Sequence, residues 1–188
     1  MVKTINGFDL ESISDTVNEL KHNPSKARYT FRTKNDWIKA GHNRSYIKEF
    51  YGGGKEDESR NKHFIFDNGE PPILLGNNEG ANPMEFVLHA LAGCMTTTMV
   101  LYAATNGISV EKISSKIEGD LDLQGFLGLD PTVRNGYQNI SVSFEVEGDI
   151  DGEDRTRLTD FCLKSPVFDI IANSVPIALK LEEASTKG

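Results

Sequence analysis

Gly80-Ala81-Asn82-Pro83-Met84-Glu85-Phe86-Val87-Leu88-His89-Ala90-Leu91-Ala92-Gly93-Cys94, running on through Met95 and Met99 to Asn106-Gly107, is the stretch that decides the fold. Asn82 suits the N-cap, because its side chain can accept a hydrogen bond from an amide left orphaned in the first turn. Pro83 suits the first helical position, where a missing N–H costs nothing, and Glu85 at the third position can answer the cap. Asn106-Gly107 offers a left-handed stop. The spacing predicts one helix over 82–105. Its apolar residues surround the axis, so it is either enclosed by protein or crosses a membrane. His89 and Thr96-Thr97-Thr98 interrupt the apolar run, and neither flank carries a cationic anchor, so a buried central helix is the reading.

Working outward, Leu10, Ile13, Val17 and Leu20 fall at helical spacing behind Asp9, which predicts a helix over 9–21. Residues 1–26 read as an N-terminal helical extension and 27–188 as the main domain. Strands are expected over 28–39 and 44–51, turned at Gly41-His42-Asn43, with a third near 62–67. The run 52–58 reads as a turn or loop; no Ser or Thr follows Lys55, so it is not a P-loop. Two more strands are expected over 108–123 and 138–148. In the second, Ile140, Val142, Phe144 and Val146 alternate with Ser141, Ser143, Glu145 and Glu147. The linker 125–131 is unusually apolar. Helices over 153–164 and 166–173 follow, the latter opened by Ser165-Pro166. A final strand over 175–182 is expected from Val175, Ile177, Leu179 and Leu181. Strands, a buried helix, strands, two helices and a strand make an α+β protein rather than an alternating β-α-β one.

Composition narrows the function. The 188 residues carry a net charge of −8, with lysines and arginines scattered, which argues against a nucleic acid or an anionic membrane as partner. No dinucleotide fingerprint stands at a strand-to-helix turn, so no cofactor is expected. The four histidines and two cysteines form no metal-ligand spacing, so no metal is expected. Two cysteines and no leader-like apolar N-terminus predict a cytoplasmic, reducing setting.

The stretch 80–94 resembles the central-helix signature of the OsmC/Ohr-like proteins, in which an Asn-Pro start leads to a cysteine eleven residues after the proline, as Cys94 follows Pro83 here. Ser165-Pro166-Val167-Phe168-Asp169 resembles the family's second motif, a Cys-Pro-Val-type helix opening. The resemblance spans about residues 27–182. It implies an OsmC-like fold with mixed and antiparallel sheets around the central helix, an intertwined homodimer, and sites at the subunit interface. For catalytic members it implies a thiol peroxidase: the first cysteine attacks an organic hydroperoxide, the second condenses with the sulfenic acid, and a cellular dithiol resets the pair.

On that resemblance Cys94 is the reacting thiol. It sits mid-helix, beyond useful reach of the helix dipole, and needs a cation from elsewhere in the fold. Arg44 is the residue the resemblance offers. Cys162 is either the resolving thiol or a member of the Leu158-Phe161 core stripe. The family's second cysteine would stand where Ser165 stands. Its arginine-orienting glutamate would follow the helix-opening proline, where Met84 stands; Glu85 comes one residue later, where capping accounts for it. His89 lies about 140° round the helix from Cys94 and is no base for that thiol within one chain. Two functions remain open: a peroxidase acting through Cys94, or a non-enzymatic relative that binds a small apolar or acyl ligand at the dimer interface.

Overall fold

The longest helix, α2 (Pro83–Thr105), begins as its sequence dictates. The Asn82 side chain accepts from the Met84 amide at 2.7 Å and the Glu85 carboxylate accepts from the Asn82 amide at 2.8 Å, a complete capping box. These contacts belong to a computed structural model that describes residues 4–183. Leu91, Met95, Met99 and Ala103, four residues apart, form the buried stripe of α2. Against it pack Leu158, Phe161 and Cys162 of α4 (Gly152–Cys162), with Ile108 and Ile150 closing the core. Burying each such Leu or Met side chain stabilises the fold by roughly 1.5–3 kcal/mol.

The other wall of the core is an antiparallel pair, β9 (Lys112–Leu121) and β10 (Tyr137–Glu147). The alternation of β10 turns Ile140, Val142, Phe144 and Val146 toward α2. Between the two strands a four-residue helix, α3 (Leu123–Phe126), runs from the end of the strand expected over 108–123 into the linker 125–131, and Asp122 caps it. Tyr137 closes the far end of this pair on α2, its hydroxyl donating to the Met84 carbonyl at 2.8 Å. Helix α5 (Pro166–Ala172) completes the layer.

The N-terminal half forms short antiparallel strands. A hairpin of β1 (Thr4–Ile5) and β2 (Phe8–Asp9) precedes α1 (Leu10–His22). Asp9 caps α1, accepting from the Glu11 amide at 2.9 Å. Asn6 clips this unit to the domain, donating to the Ile108 carbonyl at 2.9 Å and accepting from the Val110 amide at 2.8 Å. The strand expected over 28–39 divides into β3 (Thr30–Phe31) and β4 (Lys34–Lys39). The strand expected over 44–51 divides into β5 (His42–Ile47) and β6 (Phe50–Gly52). The cause is partner choice: β3 pairs with β6, whereas β4 pairs with β5 in a separate sheet.

The expected loop 52–58 contains β7 (Lys55–Asp57), because Gly53 and Gly54 take φ of +62° and +90° and turn the chain back onto β6. β8 (Phe64–Asn68) then pairs with β5.

Two expectations are corrected. Residues 175–182 form no strand and join no sheet among the described residues, and Ile177, Leu179 and Leu181 are 88–99% exposed. An apolar alternation makes a strand only where an edge accepts it, and the segment pairs with no edge among the described residues. Helix α2 is covered on one side only: Val87 is exposed, as are Ala90, Gly93 and Thr97 along the opposite face. By length and composition α2 could cross a membrane, yet its buried stripe seats it in the α+β core.

Candidate functional site

Cys94 immediately precedes Met95 on α2, so it points about 100° round the helix from the buried stripe. It is accordingly half-buried, beside the open face of small residues. Cys162 is its opposite. Only 3% of it is exposed, it packs with Leu158 and Phe161, and burial pushes its thiol up to about 11. A thiol in that state is protonated at neutral pH and is a poor nucleophile. Ser165 is fully buried and caps α5, its Oγ accepting from the Phe168 amide at 3.2 Å.

Arg44 lies on β5 directly opposite Asp67 of β8. Its guanidinium grips that carboxylate as a fork, Nε to Oδ1 at 2.9 Å and Nη2 to Oδ2 at 3.1 Å. His42 Nε2 meets the same Oδ1 at 2.7 Å. The bond from Arg44, then that from His42, holds the Asp67 carboxyl below the usual carboxylate range, and Asp67 in turn raises Arg44. Asp67 and His42 escaped the sequence reading, since only the strand register brings them to Arg44. The signal that could have flagged Asp67 is an acid at the end of the apolar run Phe64-Ile65-Phe66.

β8 reaches α2 through Phe66, whose ring meets Phe86 edge-on at 6.1 Å. Successive side chains on a strand point to opposite faces, so Asp67 and its partner Arg44 turn away from the α2 of their own chain. Within one chain, Arg44 and Cys94 share no hydrogen bond among the described residues. Glu85 serves the capping box, and its charge adds to burial in raising Tyr137. Asn82 also donates to Glu70, which ties the incoming loop to the start of α2. That loop crosses tightly under β8: a Cβ on Gly80 would overlap the Asp67 carbonyl, and one on Gly76 would overlap the Glu70 carbonyl.

Behind the stripe of α2, a cleft of about 460 Å³ opens between α4 and β10. Met95, Met99, Val142, Phe144, Leu158 and Cys162 line it, and the exposed Arg155 and Thr159 line it as well. No group of three or more His, Cys, Asp or Glu side chains among the described residues is placed to hold a metal ion.

A helix-borne cysteine on an antiparallel α+β frame defines the class of this protein. The chain belongs to the OsmC family: the family model described as OsmC-like protein matches residues 76–180, more than half of its length. No curated protein matches it. Among solved structures, an OsmC-like protein from Mycoplasma pneumoniae is similar with a TM-score of 0.59 at 15% identity, over 77% of this chain and 89% of that one. A protein from Legionella pneumophila described as organic hydroperoxide resistance protein OsmC is similar with a TM-score of 0.54 at 19% identity, over 78% of this chain and 91% of that one. At such identities the likeness is one of fold. The resemblance read from residues 80–94 and 165–169 therefore holds at the level of the family, and the α+β architecture with antiparallel sheets agrees with it.

Proposed function

We propose that the chain is a Cys94-dependent reductase of organic hydroperoxides that works as a homodimer. The observation that carries this reading is the contrast between the two thiols: Cys94 stands half-open beside the uncovered face of α2, while Cys162 is almost wholly buried. The Cys94 thiolate attacks the outer peroxide oxygen. An S–O bond forms, the O–O bond breaks, and the leaving alkoxide takes a proton to become the alcohol. The Cys94 sulfenic acid then condenses with a thiol, releasing water, and thiol exchange with a dithiol returns Cys94 and a disulfide of the reductant. With Cys162 protonated and enclosed, the external dithiol is the resolving partner.

A second copy of the chain supplies what one chain lacks. The small residues Ala90, Gly93 and Thr97 allow a partner helix to approach α2, and the unpaired 175–182 segment has an apolar face to insert. Arg44, turned from its own α2, is offered to the partner's site. The protein is expected to consume cumene hydroperoxide with dithiothreitol as reductant, to lose that activity on Cys94→Ser, and to retain most of it on Cys162→Ser. Full activity in Cys94→Ser would sink the proposal.

A second reading, binding of an apolar or acyl ligand without turnover, is favoured by the buried Cys162, by Ser165 in place of the family's second cysteine, and by the cleft behind α2.

A further inference from the structure

We infer that the cleft between α4 and β10 binds an unbranched alkyl carboxylate, with the chain against Met95 and Met99 and the head group on Arg155. This rests on the ligand-binding reading and is independent of peroxide chemistry, since Cys94 does not line the cleft.

The shape comes first. About 460 Å³ lies within the range of small-molecule sites, and the walls are mostly apolar side chains presented by a sheet and three helices. Its floor holds two methionines, Met95 and Met99, whose unbranched thioether chains adapt to a flexible occupant better than branched residues do. Cys162 and Phe144 add further wall without adding charge. An alkyl chain fits such a lining, whereas a sugar or nucleotide would leave its hydroxyls unpaired.

The head group follows from the one charged side chain in the lining. The Arg155 guanidinium makes no hydrogen bond or ion pair among the described residues. Two acidic groups close to it in sequence are already committed. Asp154 is paired with Arg157 at 2.9 Å, and Asp151 caps the helix by accepting from the Asp154 amide at 2.8 Å. A planar guanidinium at the mouth of an apolar slot matches a carboxylate by two parallel N–H···O bonds. The Thr159 hydroxyl donates to the Arg155 carbonyl at 3.1 Å, which keeps its proton out of the slot.

The test uses the full chain with carbon-13-labelled methionine methyl groups and dodecanoate as the probe. The methyl resonances of Met95 and Met99 are expected to shift with saturation, while that of Met84, at the start of α2, stays in place. Dodecyltrimethylammonium, with the same chain and the opposite charge, is expected to bind at least tenfold more weakly. Arg155→Gln should weaken dodecanoate about tenfold and leave the cationic amphiphile unchanged. Val142→Trp should fill the slot and abolish both sets of shifts, with its fold checked by far-UV circular dichroism. Equal affinity for the two amphiphiles, or no effect of Arg155→Gln, overturns the carboxylate assignment while leaving an apolar site intact. Saturation at Met84 alone overturns this site while leaving ligand binding elsewhere on the chain, and no shift at all overturns both the site and the ligand-binding reading.

Discussion

Replacing Ser165 by alanine tests how the short helix after α4 is held in place. Helix α5 has seven residues, fewer than the about 12–15 at which an isolated helix becomes even marginal, so it depends on its cap and its packing. Ser165 is fully buried, and its Oγ is the acceptor for the Phe168 amide. Alanine removes that acceptor where water does not readily replace it. Loss of a cap costs about 1 kcal/mol, rising toward about 2 kcal/mol when the freed donor is enclosed. In a protein of this size each kcal/mol lowers the melting temperature by about 2–4 °C, so Ser165→Ala is expected to melt about 2–8 °C lower. Differential scanning calorimetry at one fixed protein concentration measures it, the fixed concentration removing any contribution from association. The decisive comparison is Ser165→Gly. Glycine is tolerated at an N-cap with a loss of only a few tenths of a kcal/mol, so capping predicts that glycine melts above alanine. Packing predicts the reverse, because glycine leaves the larger void. If Ser165→Ala melts with the parent protein, or above Ser165→Gly, the capping argument is wrong.

Three further outcomes are expected. Burial raises the Cys162 thiol from its ordinary value to about 11, so the unfolded chain ionises there first and stability falls as pH climbs through that interval. Cys162→Ala should flatten the alkaline limb of the melting curve between those values, and iodoacetamide should modify Cys94 well before Cys162 in the folded protein; an unchanged limb contradicts the assignment. Leu179→Asp, in the exposed segment after α5, should drive the protein toward monomer in sedimentation velocity while leaving its far-UV spectrum unchanged, and an undisturbed dimer would remove that segment from the interface.

What the sequence made legible was whatever its neighbours in the chain decide. The capping box of α2 involves only Asn82, Met84 and Glu85, and the face of β10 follows from simple alternation, so both could be read directly. The Asp9 and Ser165 caps were legible for the same reason. What escaped depends on pairing at a distance. Nothing local in Lys55-Glu56-Asp57 marks a strand; Gly53 and Gly54 make it one by folding it onto β6. Arg44 could be named from the family likeness, but its grip on Asp67 and the approach of His42 exist only through the β5–β8 register. The apolar alternation of 175–182 is legible as a pattern, but a strand also needs an edge to pair with, and the segment pairs with none among the described residues.

The tight crossing at Gly80 has a consequence for variation in this protein. Position 80 carries no functional group, yet any side chain there would press on the Asp67 carbonyl and lever the end of β8 outward. The carboxylate gripping Arg44 would move with it. A residue with nothing to contribute chemically would thus behave in a mutational scan like a member of the Arg44–Asp67 pair, and a Gly80→Ala variant would retune a guanidinium that it never touches.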